Sequence, residues 1–147
     1  MSELKTAPDF TLPDQYGNDF HLYDNLKNRV MLVFYPKDNT MVCTKQLCNY
    51  RDNFDEFIKL GIQPVAISVD DTESHKQFAG KYNLNFPVLS DKDKKVSISY
   101  NALSFVGISK RKIVLINKEA QIIFEDTVAP VFYRKTDNLL KIIKMLY

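Results

Sequence analysis

The chain contains two cysteines, Cys43 and Cys48, which lie five positions apart. Two cysteines in 147 residues are too few for the disulfide framework of a secreted protein. In a reducing compartment, a close cysteine pair is typical of a reactive thiol site or a metal site. His21 and His75 lie at no metal-ligand spacing from the cysteines, and we expect both on the surface. The pattern therefore favours thiol chemistry with neither a metal nor a cofactor.

The residues around Cys43 predict how it is positioned. The apolar run at residues 30–35 predicts a strand buried on both faces, and Pro36 ends it. Residues 41–60 predict a helix, so Cys43 falls in its first turn. Backbone N–H groups there lack helical partners and the macrodipole is positive, and both stabilise a thiolate. Cys43 is therefore expected to be reactive.

Strand and helix patterns alternate through the rest of the chain. Residues 9–22 predict an N-terminal β-hairpin. Further strands are predicted at residues 63–69, 86–89, 113–116 and 121–124, and further helices at residues 74–82, 91–100 and 136–145. This order predicts an α/β protein with a thioredoxin-like fold, in which helices flank a mixed central sheet. No repeat or linker interrupts it, so we expect a single domain over residues 1–147.

The charge balance limits the partners. The formal net charge is +2, from 20 basic and 18 acidic residues, which does not indicate nucleic acid or a membrane surface. The first ten residues do not resemble a signal peptide, and no apolar stretch approaches the roughly 20 residues that span a bilayer. We therefore expect a cytoplasmic protein with small-molecule or protein partners.

Pro36, Thr40 and Cys43 have the spacing P-x-x-x-T-x-x-C after the strand, and this motif resembles the peroxiredoxins. Residues 34–52 (FYPKDNTMVCTKQLCNYRD) resemble more narrowly the bacterioferritin comigratory protein or plant Q-type subfamily, in which a second cysteine follows five residues later. The resemblance implies a thiol peroxidase acting on hydrogen peroxide and organic hydroperoxides. Without this motif, two inert buried thiols would be the more common interpretation of the pair.

The resemblance also implies a role for each site residue. Cys43 matches the peroxidatic cysteine and Cys48 the resolving cysteine, and thioredoxin or a similar dithiol is the implied reductant of a monomeric enzyme. Thr40 matches the hydroxyl that contacts the peroxide, and Pro36 the residue that shields the thiolate. Arg111 matches the arginine that binds peroxide, because residues 111–117 (RKIVLIN) fit the strand pattern of the family. Counting forward from Gly107 and Ile108 would instead place Lys110 at the position of the family's arginine.

The five-residue spacing has a geometric consequence. In an unbroken helix, residues 43 and 48 are about 8.6 Å apart between their Cα atoms. Cysteines whose Cα atoms are more than roughly 7 Å apart cannot be bridged without backbone movement. We therefore predict an intact helix in the reduced protein, whose first turns unwind when the Cys43–Cys48 disulfide forms.

Two other functions fit the same cysteine pair. A thiol-disulfide oxidoreductase of the same fold is the first, although that chemistry favours C-x-x-C at the helix start and the spacing here is longer. A redox-regulated binding protein, in which the disulfide switches a surface, is the second. Gln46, Arg51 and Asp52 also match the family, and we expect them to support the helix without contacting substrate.

Overall fold

The computed structural model describes residues 4–146. At its start, β1 (Thr11–Pro13) and β2 (Asp19–His21) form the predicted antiparallel hairpin, followed by a 3₁₀ turn. The strands of the central sheet are β3 (Arg29–Phe34), β4 (Ile62–Ser68), β5 (Val88–Ser90), β6 (Arg111–Ile116) and β7 (Ile122–Val128). The helices are α1 (Met41–Asp52), α2 (Phe54–Lys59), α3 (Thr72–Tyr82), α4 (Lys95–Ser99) and α5 (Thr136–Leu146).

The central sheet is mixed, with the strand order β5-β4-β3-β6-β7. β3, β4 and β5 run parallel, whereas β6 pairs antiparallel with both β3 and β7. β3 is thus the central strand, and it is buried on both faces as predicted. This is the α/β arrangement expected of a thioredoxin-like fold. Within residues 4–146, no helix is long and apolar enough to cross a membrane.

β3 separates two apolar layers, because its side chains alternate between the faces of the sheet. Met31 and Val33 face one layer, where they join Cys43 of α1, Phe78 of α3 and Leu139 of α5. The other β3 side chains join the N-terminal hairpin and α4 in the opposite layer. Cys43 therefore lies in the layer that α1, α3 and α5 cover.

The single helix predicted over residues 41–60 is divided into α1 and α2. The division falls at Asn53, whose φ and ψ of −113° and 19° leave the helical range. Its side-chain amide donates to the carbonyl of Asn49 at 2.8 Å, and such local side-chain bonds compete with helical ones. Both cysteines remain within α1, so the break does not separate them.

The helix predicted over residues 91–100 is also shorter than expected. The buried carboxylate of Asp91 accepts hydrogen bonds from the backbone N–H groups of Val96 (3.2 Å) and Ser97 (2.6 Å). Lys94 has a φ of 66°, in the left-handed region. Asp91 therefore caps α4 from outside, and the helix begins only after Lys94.

The strands differ from prediction mainly at their ends. β5 begins two residues later than expected, and β7 continues to Val128. β6 begins at Arg111 rather than Ile113, and Arg111 pairs with Val128 of β7. The predicted β6–β7 hairpin is confirmed, and Arg111 is part of the sheet.

Candidate active site

The loop between β3 and α1 positions Cys43. Asn39 has a φ of 61°, a left-handed conformation that reverses the chain just before the helix. Thr40 is the N-cap residue, so Cys43 is the third residue of α1. Cys43 is a free thiol with 0% of its surface exposed. Its sulfur thus lies near the positively polarised end of α1 and away from bulk water.

Arg111 provides a positive charge beside this thiol. Its Nη2 lies 3.2 Å from Cys43 Sγ, and only 3% of the residue is exposed. The guanidinium also donates to the backbone carbonyl of Pro130, from Nη2 at 2.9 Å and from Nε at 3.1 Å. A buried guanidinium held by several acceptors keeps a fixed orientation. It can therefore stabilise both a thiolate and an oxygen that gains negative charge beside it.

Gln46 fixes Arg111 from the helix side. Its Oε1 accepts a 2.7 Å hydrogen bond from Arg111 Nη1, and its Nε2 donates to the Tyr50 hydroxyl at 3.1 Å. The Tyr50 hydroxyl in turn donates to the carbonyl of Arg134 at 2.6 Å. Gln46 was predicted to support the helix, whereas Tyr50, the Pro130 carbonyl and the contact of Gln46 with Arg111 were missed. The spacing of Gln46 and Tyr50, three and seven residues after Cys43, places them on the same helix face and was the available signal.

The choice between Lys110 and Arg111 is resolved by position. Arg111 is the residue whose side chain reaches Cys43 Sγ. The backbone N–H of Lys110 donates to the carbonyl of Ala102 at 2.6 Å, and its side chain is partly exposed. Lys110 lies just before β6, and the position facing α1 is the first residue of the strand, Arg111.

Thr40 and Pro36 lie in the loop that leads into the site. The Thr40 hydroxyl is exposed, and it donates to the carbonyl of Lys37 at 3.0 Å. Although Thr40 occupies the N-cap position, its side chain makes no capping hydrogen bond. Its oxygen lone pairs and the first N–H groups of α1 therefore remain available to a small polar ligand. Pro36 is partly buried at the other end of the loop.

Cys48 is a free, partly exposed thiol on the same unbroken helix as Cys43. The intact helix predicted for the reduced protein is thus confirmed, and the disulfide still requires the backbone to move. Partial burial raises the pKa of the Cys48 thiol; Arg51 opposes this rise and Asp52 adds to it. Cys48 is therefore mostly a neutral thiol at neutral pH.

The expectation that both histidines lie on the surface is wrong for His75. His21 is partly exposed and bonds to Asp9 and Asp24. His75 is fully buried, and its ring contacts Asp38 and the carbonyl of Leu89. The available signal was the position of His75 three and four residues before the buried residues 78 and 79, on one face of α3.

His75 belongs to the one cluster among residues 4–146 whose donor set could suit a metal. Ligand atoms of Asp38, Asp70 and His75 all lie within 4.8 Å of one another. However, these atoms already hydrogen-bond within the cluster and to neighbouring hydroxyl groups. We therefore interpret the cluster as a polar framework rather than a metal site.

The central sheet is mixed, and a buried thiol contacts a guanidinium at a helix N-terminus. These two features define a thiol enzyme of the thioredoxin-like class. The sequence matches the AhpC/TSA family over residues 4–124. It is 38% identical to the chloroplastic peroxiredoxin Q of Arabidopsis thaliana, over 98% of this chain and 68% of that protein. It is 37% identical to the chloroplastic peroxiredoxin Q of Sedum lineare, over 99% of this chain and 80% of that protein.

A solved structure gives the same result. The crystal structure of the peroxidoxin BcpB from Mycobacterium tuberculosis superposes with a TM-score of 0.83 at 29% identity, over 99% of this chain and 96% of that chain. The chain belongs to the AhpC/TSA family. It is a peroxiredoxin, a thiol peroxidase of the oxidoreductase class.

Proposed function

We propose that Cys43 is the peroxidatic thiol and that it reduces hydrogen peroxide and organic hydroperoxides. The observation that carries the proposal is the 3.2 Å contact between the buried Cys43 Sγ and Arg111 Nη2, in the first turn of α1. The thiolate is the reactive form of cysteine, and both the helix terminus and the guanidinium favour it.

In the first step, the Cys43 thiolate attacks one oxygen of the peroxide. An S–O bond forms, the O–O bond breaks, and the departing oxygen takes a proton to leave as water or an alcohol. Arg111 and the N–H groups at the start of α1 stabilise the charge on that oxygen. The Thr40 hydroxyl donates its own hydrogen to Lys37, so it offers lone pairs to the peroxide O–H. Pro36 shields the thiolate and adds no N–H donor.

In the second step, Cys48 resolves the sulfenic acid. Its sulfur attacks Cys43 Sγ, an S–S bond forms, and the sulfenic oxygen leaves as water. The separation of about 8.6 Å between these Cα atoms in a helix requires the start of α1 to unwind first.

A dithiol reductant of the thioredoxin type then closes the cycle. Its two thiols become a disulfide while Cys43 and Cys48 return to thiols. We propose that one domain, residues 1–147, acts as a monomer and needs neither a metal nor an organic cofactor, because the two thiols themselves carry the chemistry. Because two free thiols are typical of a reducing compartment, the cytoplasm is the proposed location.

Peroxide consumption by the wild type, Cys43→Ser and Cys48→Ser tests this proposal. With thioredoxin and its reductase present, the wild type should turn over and Cys43→Ser should consume no peroxide. Cys48→Ser should consume about one equivalent and then stop, because its sulfenic acid has no resolving thiol. Sustained turnover by Cys43→Ser would exclude Cys43 as the peroxidatic residue.

A further inference from the structure

A buried polar cluster lies beside the loop that carries Thr40. Its centre is Asp38, which is 5% exposed and lies two residues before Thr40. The Tyr35 hydroxyl donates to one oxygen of the Asp38 carboxylate. The other oxygen accepts from the Ser74 hydroxyl at 2.8 Å and lies 2.7 Å from His75 Nδ1. Asp38 thus ties the loop to β3 and α3.

His75 is held through both nitrogens of its ring. Nε2 lies 3.0 Å from the carbonyl of Leu89, which can only accept, so Nε2 carries a hydrogen. Burial and then the Asp38 carboxylate raise the pKa of Tyr35 well above its usual value, which keeps the phenol a donor to Asp38. Nδ1 lies 2.7 Å from Asp38 Oδ2, and the side chains of His75 and Asp38 are 0% and 2% exposed, so the two form a buried hydrogen-bonded pair.

Asp70 adds a second carboxylate to the cluster and also supports the loop. Its Oδ2 accepts the backbone N–H of Asp38 at 2.8 Å and the Ser68 hydroxyl at 3.0 Å. The titratable groups that face His75 are thus the carboxylates of Asp38 and Asp70 and the phenol of Tyr35. Leaving a buried hydrogen-bonding group without its partner is unfavourable, so the cluster resists rearrangement.

The loop needs such support because its backbone is unusual. Asn39 is in the left-handed region, which is uncommon for residues other than glycine and persists where neighbouring contacts hold it. Immediately after it, the Thr40 hydroxyl bonds back to the carbonyl of Lys37. The side chain and the backbone N–H of Asp38 are both anchored just before this turn. The position of the Thr40 oxygen therefore depends on Asp38.

We propose that Asp38 is a positioning residue for peroxide reduction: its buried contacts with Tyr35, Ser74 and His75 hold the loop that presents the Thr40 hydroxyl to the peroxide. This inference rests on the proposed function of Thr40. Asp38 acts through the loop and does not touch the substrate. It therefore affects the reaction with peroxide and not the later attack by Cys48.

Asp38→Ala separates these two steps. Reduced enzyme is mixed with peroxide, quenched with acid at intervals and analysed by mass spectrometry, which distinguishes thiol, sulfenic acid and disulfide. We expect the second-order rate constant of Cys43 oxidation to fall by roughly tenfold to a hundredfold, the cost of a misplaced binding group. The first-order rate constant of disulfide formation should not fall. Oxidation within about twofold of wild type, or an equal fall in both steps, would overturn the proposal.

Two further variants serve as control and rescue. Asp24→Ala is the control, because it removes the carboxylate of an exposed histidine–aspartate pair. In that pair, Asp24 Oδ2 lies 2.9 Å from His21 Nδ1. This variant should leave both rate constants unchanged. In Asp38→Asn, the amide can accept from Tyr35 and donate to a neutral His75, so most of the lost oxidation rate should return. An Asp38→Asn variant as slow as Asp38→Ala would contradict a role based on hydrogen-bond geometry.

Thr40→Val distinguishes failure of this inference from failure of the proposed function. If Thr40→Val slows oxidation and folded Asp38→Ala does not, Asp38 is not a positioning residue although Thr40 acts as proposed. If Thr40→Val does not slow oxidation, both fail. If Asp38→Ala does not fold, Ser74→Ala serves instead, because it deletes one donor to Asp38. This variant should slow Cys43 oxidation by about threefold and leave disulfide formation unchanged. An unchanged oxidation rate in Ser74→Ala would then overturn the inference.

Discussion

The first turns of α1, residues 41–45, are held in the fold very differently from residues 46–52. Within the described chain, the first part has one side-chain hydrogen bond, from Arg111 to Cys43. Side chains of the second part bond to four residues distant in sequence. These contacts join Gln46 to Arg111, Asn49 to Thr136, Tyr50 to the Arg134 carbonyl and Arg51 to the Tyr82 carbonyl.

This difference matches the movement that the proposed Cys43–Cys48 disulfide requires. Cys43 lies in the weakly attached part, and Cys48 lies in the anchored part. Cys43 is buried in the core, but the part of α1 that carries it has fewer side-chain hydrogen bonds to distant residues, and such a part opens at lower cost than an anchored one. We therefore expect Cys43 to move towards Cys48 when a disulfide forms. Arg111 contacts both parts. Its hydrogen bond to Cys43 must break before Cys43 can move.

The largest effect should come from removing this shared contact. Arg111→Gln should lower the second-order rate constant of Cys43 oxidation by about 10²- to 10³-fold, the usual loss when a donor to a developing charge is removed. Lys110→Gln is the matched control, since it removes the neighbouring charge, and it should change the rate by less than about twofold. Rapid-mixing measurements at low peroxide concentration would show both. Equal losses in the two variants would contradict the placement of Arg111.

The second prediction concerns amide hydrogen exchange in α1. Residues 44–47 bond to the carbonyls of residues 40–43, so these amides should exchange at least about tenfold faster once the disulfide forms. The amides of residues 50–52 should keep most of their protection. NMR of the reduced and oxidised enzyme measures both groups.

Cys48→Ser provides the control for the exchange experiment. One equivalent of peroxide oxidises its Cys43 without forming a disulfide, so residues 44–47 should stay protected. Similar exchange across the whole helix in the oxidised wild type would show that its two parts are not independent.

The smallest mutational effect should come from the environment of Cys48. Because the pKa of this thiol is raised, its thiolate fraction is small at neutral pH and grows with pH until the pKa is reached. The rate constant of disulfide formation should therefore rise by up to about tenfold per pH unit from pH 6 to 8. Asp52→Asn removes a charge that raises this pKa, and should speed the step at pH 7 by about two- to threefold. Asp55→Asn, at an exposed position in α2, is the control and should leave the rate constant of disulfide formation unchanged. A rate constant of disulfide formation that does not depend on pH would contradict the prediction.

Local patterns predicted most of the elements but not all of their ends. Hydrophobic periodicity and turn residues act over a few positions, so they identified the N-terminal hairpin, the buried strand β3 and the helix that carries both cysteines. They failed where a polar side chain bonded to the nearby backbone. Asn53 divided the predicted helix, and Asp91 delayed the start of α4.

The sequence by itself determined where Cys43 lies in the fold, because a buried strand, a proline and a helix start are all local signals around it. Only the tertiary structure decided what meets that thiol. Arg111 is 68 residues away, and the antiparallel register that pairs Phe34 with Lys112 brings it to the end of β3. His75 and Asp38, 37 residues apart, meet because α3 packs against the loop after β3. Such contacts depend on strand register and helix packing, which no local spacing encodes.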